Sequence, residues 1–571
     1  MESGLAAFQA GDHAWLVEAD HAAFVRETLA ALAERPGALP GAELIKENRA
    51  RTVVRAPGPA GRLYLKRYRV GGWGARLLSL LRASPARREW TALRALAAAG
   101  LPVPQAVLLG EARRGPFLRG SLLGTAEAVG YAEVVRRIDA LRAAGDAAAR
   151  RALSEALAPL VRRLFQAGAD HPDLHLGNFL VRLEDGALLA LDLHSVRLSA
   201  GPVGAGTRRA RLAKLAHSFG VCDPDAGPAA RAELGWFADA YAREDPALGP
   251  AEALLAGLIA RARAVEAARL VSRDRRCLVT STSFVVHGPR GRRVYRRREA
   301  TPQAVWTALD TPPTALVHAH PRGRSRIETV ATPPGLGDPQ PLVIRKLYLF
   351  PGWRARLHGT FAPSLAMRAW RAARACEVRG IPHPRHHALV IEGVIPRLAT
   401  ILMERIADAT MTHVWLQEGR VTPAARFALA RELGRLLGRF HHSGLKHRDL
   451  AVQNILIRPR EGDGARGWEA WLVDLDEVRT GAMSRREKLR ALSQLADLPA
   501  QATRSDRARF FRAYLAAGGD SVLRAELEAW GARGLGRRVG ALLEEKARAK
   551  ARRLAGGIPR PVPTDVSALR S

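Results

Sequence analysis

Cysteine is nearly absent from this 571-residue chain: there are three, Cys222, Cys277 and Cys376, none at metal-pair spacing. That excludes a disulfide scaffold and a cysteine-rich zinc module, and it fits a reduced, cytoplasmic setting. Long apolar runs are missing too, and no stretch approaches the ~18 uncharged residues that span a bilayer. The amino terminus has neither the basic start nor the apolar core of a secretory signal. Acidic residues are outnumbered, 55 Asp and Glu against 89 Lys and Arg, which gives a net charge of +34. Lysine itself is scarce, with eight among those 89 basic residues. What remains is ordinary globular composition, 47% hydrophobic and 25% charged, which excludes disorder as the main state.

A positive surplus of this size favours polyanions: nucleic acid, an anionic membrane face or a phosphorylated substrate. The arginine and alanine excess in runs such as AEALLAGLIARARAVEAARL is also what GC-rich coding produces, so part of the charge is compositional. No helix-turn-helix or aromatic-stacking module backs the nucleic-acid reading. The scarcity of lysine makes each lysine informative.

The chain is duplicated. LYLKRYRVGGWGARLL (63–78) aligns with VIRKLYLFPGWRARLH (343–358) at an offset of 280, which superimposes Lys66 on Lys346, Tyr68 on Tyr348 and Trp73 on Trp353. The register runs on through Ser84 and Ser364, Trp90 and Trp370, and GLPVP (100–104) over GIPHP (380–384). Further on the offset becomes 276, with HPDLHLGNFLV (171–181) over HRDLAVQNILI (447–457). Solenoid repeats recur every 20–50 residues. This period instead marks two tandem domains, 1–270 and 271–571, each within the usual single-domain range.

Each copy reads the same way. A hairpin is expected at 278–298 around the turn HGPRG, and β-rich stretches at RTVVRAP and GRLYLKRYR and at IETVATP and PLVIRKLYL. A helix follows (PARREWTALRALAAAG; PSLAMRAWRAARACEVRG), stopped by glycine and then two prolines. Beyond it the pattern is mainly helical, broken by short apolar strands. The fold class is α+β: a small β-rich lobe followed by a larger helical lobe, twice.

The second lobes carry the chemistry. His171-Pro172-Asp173 with Asn178 and Asp192 matches His447-Arg448-Asp449 with Asn454 and Asp474, and aspartate precedes asparagine by five residues in both. This is the spacing of a protein-kinase-like catalytic loop and metal aspartate. Asp173 and Asp449 are placed to accept or orient the attacking hydroxyl. Asn178, Asp192, Asn454 and Asp474 are candidates to hold Mg²⁺ against the phosphates of ATP. Lys66 and Lys346, on strands of the small lobes, would anchor the α- and β-phosphates, with Glu89 orienting Lys66.

Both copies resemble the lipopolysaccharide kinase family, the Kdo and heptose kinases of Gram-negative envelopes, which share the protein-kinase fold. The resemblance rests on H-x-D-L-x-x-x-N ending in an apolar strand, on D-L-H-x-V-R-L at 192–198, and on G-[LI]-P-x-P after the helix. It implies ATP and Mg²⁺ as cosubstrates, a sugar hydroxyl of a lipid A–core precursor as acceptor, and work at the inner face of the inner membrane. It also implies a tandem duplication of a bilobal protein-kinase-like domain.

The departures are informative. Neither copy has G-x-G-x-x-G, D-F-G or A-P-E, which argues against a conventional protein kinase and for a small or glycolipid acceptor. Ala369 stands where Glu89 is expected in the second copy, with Glu377 as a substitute candidate, and Pro172 stands where that copy has Arg448. Three alternatives stay open: an atypical protein kinase, a small-molecule phosphotransferase, or a nucleotide-binding scaffold without turnover in one or both copies. His171 and His447 read as packing residues, Trp73 and Trp353 as core anchors. The histidines of RGIPHPRHHA and of 318–320 lack a tetrahedral metal set. The basic run from Arg537 through Lys546, Arg548, Lys550, Arg552 and Arg553 is a solvated face or a patch for an anionic membrane, worth about 1 kcal/mol per residue there. The run from Arg290 to Arg298 is a candidate for the same role.

Overall fold

The computed structural model describes residues 4–518 and residue 548, apart from 30–32, 48–50, 71–78, 81, 224–225, 289–290, 321–323, 351, 362, 418–421, 449, 461–466, 482, 485–486, 489–490 and 492–502. The chain divides into two compact units, Met1–Ala267 and Ala268–Ser571. Trp73, Asp449 and the basic tail other than Arg548 lie outside the described residues.

The first unit opens with an antiparallel sheet of β1 (Leu5–Ala10), β2 (His13–Glu18), β3 (Glu43–Glu47), β4 (Arg51–Gly58), β5 (Gly61–Arg69), β6 (Ala106–Arg114) and β7 (Phe117–Ala126), in the order β1-β2-β6-β7-β5-β4-β3. The second unit repeats it with β8 (Phe284–His287), β9 (Arg292–Arg297), β10 (Ala315–Ala319), β11 (Ser325–Ala331), β12 (Leu342–Leu349), β13 (His386–Glu392) and β14 (Leu398–Glu404), ordered β8-β9-β13-β14-β12-β11-β10. Two units with the same order of seven strands are a duplication of fold. Each lysine sits on an interior strand, Lys66 opposite Val53 and Leu123, Lys346 opposite Ile327 and Ile401.

Helix α1 (Pro85–Ala98) starts where Ser84 Oγ accepts from the Arg87 amide at 3.0 Å and ends at Gly100, φ 71°. Its counterpart α2 (Leu365–Val378) starts where Ser364 Oγ accepts from the Met367 amide at 3.2 Å and ends at Gly380, φ 64°. A hydroxyl satisfies an orphan amide at each start, and glycine takes the left-handed turn at each end. Each helix buries one tryptophan, Trp90 or Trp370. The segment after each helix is tied to the strand before the metal-type aspartate: Ala190 N donates to Pro102 O at 2.9 Å, and Leu472 N to Pro382 O at 3.0 Å.

Behind the sheet the first unit buries leucines of the helix Ala147–Gln166 with Phe179, Phe219 and Phe237 in one core. The second unit packs the helix Pro423–His442 on the helix Arg504–Gly518 so closely that a Cβ on Gly434 would lie 2.3 Å from Phe510 O. Two expectations are corrected here. Trp353 is 69% exposed, so it is not a core anchor. Arg297, inside the supposed surface run, is buried, with Nε on His386 O at 2.8 Å and Nη1 on Glu377 at 3.0 Å. The 383–387 histidines are packing groups: His386 stacks on Trp370 and His387 Nε2 meets Asp338 at 2.9 Å, both buried.

Gly168 and Gly444 occupy the same turn before the two catalytic-type loops, at φ 75° and 74°. A Cβ on Gly168 would lie 2.2 Å from Ser199 O. Gly168→Ala is therefore expected to cost more than the ~1–2 kcal/mol of the left-handed backbone alone. Thermal unfolding measures it, and an unchanged melting curve would contradict the clash.

Candidate active site

In the first unit the sheet, α1 and two short turns bring the sequence-predicted residues together. Lys66 Nζ, on β5, donates to Glu89 Oε1 of α1 at 2.6 Å and lies 3.5 Å from Asp192 Oδ1. Tyr68, two residues along the same strand face, donates its hydroxyl to Glu89 Oε2 at 2.5 Å. Burial, then the Glu89 charge, pushes the Tyr68 phenol pKa up, so it stays a donor. Glu89 is buried and held at both oxygens.

Asp192 sits at φ 59° and Asp474 at φ 57°, a left-handed conformation that non-glycine residues seldom adopt. The Asp192 carboxylate is crowded by hydrogen-bonding partners. Arg51 Nη1 and Nη2 reach its two oxygens at 2.9 and 3.2 Å, and His194 Nδ1 lies 3.1 Å from Oδ1. Burial alone would raise its pKa. The His194 and Arg51 hydrogen bonds and the Lys66 charge outweigh that and hold it well below the carboxylate range.

Asn178 is buried, and its amide nitrogen donates to Asp173 O at 2.7 Å and faces His171 Nε2 at 3.3 Å. With the nitrogen so used, the amide oxygen is the atom left for a cation. Burial pushes the His171 pKa down to about 4, so this ring is neutral near pH 7, as a packing residue requires. Asp173 itself is 64% exposed at its side chain, with His175 Nε2 3.7 Å away. One backbone bond joins the loop to the second aspartate in both units: Leu191 N to Asn178 O at 2.7 Å, and Val473 N to Asn454 O at 2.9 Å.

The oxygen donors of Asn178 and Asp192 suit a hard divalent cation such as Mg²⁺. Glu89, Asp192 and His194 also bring three metal-capable atoms within 4.8 Å of one another, but Lys66 already holds both carboxylates.

The second unit keeps the lysine and changes its partners. Lys346 Nζ meets Asp474 Oδ1 at 2.5 Å and Asp476 Oδ2 at 3.8 Å, and lies 5.0 Å over the Tyr348 ring. Burial would lower this ammonium's pKa, but Tyr348, Asp476 and Asp474 outweigh it and raise it. Ala369 is buried where Glu89 stands in the first unit. Glu377 is not the substitute: its Oε1 accepts from Arg297 at 3.0 Å, and its Oε2 is shared by Arg297 at 2.9 Å and Arg374 at 2.8 Å. Asn454 is buried at the position of Asn178.

The sequence reading missed Arg51, His194, Asp476 and Lys214, the last of which donates to Pro172 O beside Asp173. Lys214 had a signal, since Lys214-Leu215 and Lys488-Leu489 are 274 apart in a chain poor in lysine. Arg51 had none.

A family model described as the lipopolysaccharide kinase (Kdo/WaaP) family matches residues 42–234 and 353–514, one stretch in each unit and together more than half of the chain. The chain belongs to that family. The second match begins after Lys346, so that lysine rests on the internal repeat rather than on the family model. The chain is 36% identical over 155 residues to a 3-deoxy-D-manno-octulosonic acid kinase of Stenotrophomonas maltophilia, covering 25% of this chain and 57% of that one. It is 31% identical over 163 residues to the lipopolysaccharide core heptose(I) kinase WaaP of Pseudomonas aeruginosa, covering 27% and 61%. It thus spans less than two thirds of the length of these relatives. Among solved structures, WaaP in complex with acyl carrier protein is 25% identical with a TM-score of 0.30, over 39% of this chain and 88% of that one. The Mycobacterium tuberculosis PknI kinase domain is 16% identical with a TM-score of 0.25, over 38% and 94%. The fold is a tandem pair of bilobal kinase-like domains, and the family implies ATP and a divalent metal. Among the described residues no helix is long and apolar enough to cross a membrane.

Proposed function

We propose that this chain is an ATP-dependent kinase that phosphorylates a sugar hydroxyl of a lipopolysaccharide core or lipid A precursor, with residues 1–270 as one kinase-like domain and 271–571 as the other. The observation that carries it is the Lys66–Glu89 pair at 2.6 Å facing Asp192, beside a loop that buries Asn178 and exposes Asp173, in a chain of this family.

In the first copy Lys66, held by Glu89, binds the α- and β-phosphates of ATP. The acceptor oxygen bonds to the γ-phosphorus, the bond to the ADP oxygen breaks, and the exposed Asp173 carboxylate orients the hydroxyl and takes its proton. Asn178 and Asp192 would hold Mg²⁺, which supplies charge neutralisation on the phosphates. Asp449, Asn454 and Asp474 would do the same in the second copy. A glycolipid acceptor puts the enzyme at the inner face of the inner membrane, where the +34 charge favours peripheral contact with anionic lipid. A second reading, nucleotide binding without turnover in the second copy, is favoured by Ala369 alone.

The test is transfer of labelled γ-phosphate from Mg-ATP into a lipid A–core extract by the parent, Asp173→Ala and Asp449→Ala chains. Label in lipid that Asp173→Ala cuts by about 10²–10⁴-fold in an Asp449→Ala background is the expected result. Partial loss from each substitution means two working copies. Label in protein instead of lipid makes this an atypical protein kinase, and no label in any acceptor overturns the kinase reading.

A further inference from the structure

We propose that Asp476 does in the second copy what Glu89 does in the first: it is the carboxylate that holds the nucleotide-anchoring lysine, so the second copy is a nucleotide-binding site in its own right. This rests on the reading above that Lys66 and Lys346 bind ATP phosphates.

The two units control for each other. Each lysine faces two carboxylates, Lys66 with Glu89 at 2.6 Å and Asp192 at 3.5 Å, Lys346 with Asp474 at 2.5 Å and Asp476 at 3.8 Å. In each pair one member, Asp192 or Asp474, is also the candidate metal ligand. A divalent cation on that carboxylate competes with the ammonium for its oxygens and repels it, so the other member is left as the lysine's main anchor. In the first copy that member comes from the helix. In the second the helix offers Ala369, and the acid comes instead from the turn, two residues past Asp474.

The exchange is reciprocal. Where the second copy has Asp476, the first has His194, which bonds Asp192 and carries no negative charge. Glu89 with His194 and Ala369 with Asp476 therefore leave the lysine facing the same number of acids. The helix has changed its tether accordingly: Arg368 of α2 donates to Glu477 at 3.2 Å, joining the helix to the very turn that carries Asp476. In the first copy the helix is joined to the strand through Lys66–Glu89. Asp476 is thus a positioning residue, acting through Lys346.

Equilibrium dialysis of labelled ATP with Mg²⁺ against the full chain tests this in a Lys66→Met background. A Lys66→Met/Lys346→Met chain defines the share owed to the second copy. Asp476→Asn is expected to weaken that share about 10- to 100-fold, and adding Ala369→Glu to restore it. A merely structural role for Asp476 would not be rescued by a new acid on α2. If Asp476→Asn alone shifts the unfolding transition, the Ala369→Glu/Asp476→His chain, which reproduces the first copy's residues, decides by the same binding assay. The inference is overturned if the Lys66→Met chain shows no binding owed to Lys346, if Asp476→Asn binds as its parent does, or if neither rescue restores binding. A chain that fails here and still labels lipid with Lys66 intact loses this inference and keeps the proposed function.

Discussion

Replacing Asp192 by asparagine, in a chain whose second copy is silenced by Asp449→Ala, is expected to cut phosphate transfer about 10²–10⁴-fold. That is the several kcal/mol of charge stabilisation a metal ligand supports, at ~1.36 kcal/mol per tenfold. The fold should survive, because Lys66 keeps Glu89 and Arg51, the first residue of β4, is partly exposed. Arg51→Ala should act in the opposite sense on metal demand. With the guanidinium bidentate on Asp192, a divalent cation has to displace it. Removing a partly exposed ion pair of about 1 kcal/mol should lower the Mg²⁺ concentration for half-maximal transfer several-fold. A magnesium titration of both variants checks this. Undiminished transfer by Asp192→Asn, or a higher magnesium demand in Arg51→Ala, would remove Asp192 from the metal site or make Arg51 a phosphate ligand.

The largest stability effect is expected in the sheet of the second unit. Arg345 and Glu328 lie directly opposite each other on β12 and β11, both buried, with Nη2 and Oε2 at 2.7 Å. Arg345 Nη1 also donates to Ala308, Leu309 and Thr311 carbonyls at 3.1, 2.9 and 2.8 Å, closing the end of the helix Pro302–Asp310. At the same sheet position the first unit pairs Val54 with Leu65, both fully buried. Glu328→Val leaves a buried guanidinium without its counter-charge and should cost about 3–5 kcal/mol. Glu328→Val/Arg345→Leu installs the first unit's apolar pair and should recover most of that loss, falling short by the carbonyl bonds given up. Urea unfolding, followed as the transition that the single substitution moves, gives both values. A double variant no more stable than the single one would show that the ion pair was not the source of the cost.

Much of this site was legible in one dimension. The offset of 280 located Lys66 and Lys346 on matched strands, and Gly100 and Gly380 marked the ends of the two helices, because such stops are decided by neighbours within a few residues. The five-residue step from Asp173 to Asn178 was equally local: the asparagine bonds the backbone of the aspartate itself. Glu89 was found by spacing from a known chemistry, and its bond to Lys66 spans 23 residues.

Other features were hidden because their partners are remote. Arg51 reaches Asp192 across 141 residues, and Glu377, about two helical turns beyond the expected place, is drawn off by Arg297 from 80 residues upstream. Trp353 aligns with Trp73 yet lies exposed, since alignment conveys position and not what covers it. By itself the sequence determined the duplication, the order of strands and helices around each lysine, and the presence of lysine, aspartate, asparagine and a second aspartate in each copy, all properties of local pattern and spacing. Only the tertiary structure decided which carboxylate holds which lysine. That choice is set by the few ångströms separating α1 or α2 from the turn after the last strand, and by which buried charges find a partner there.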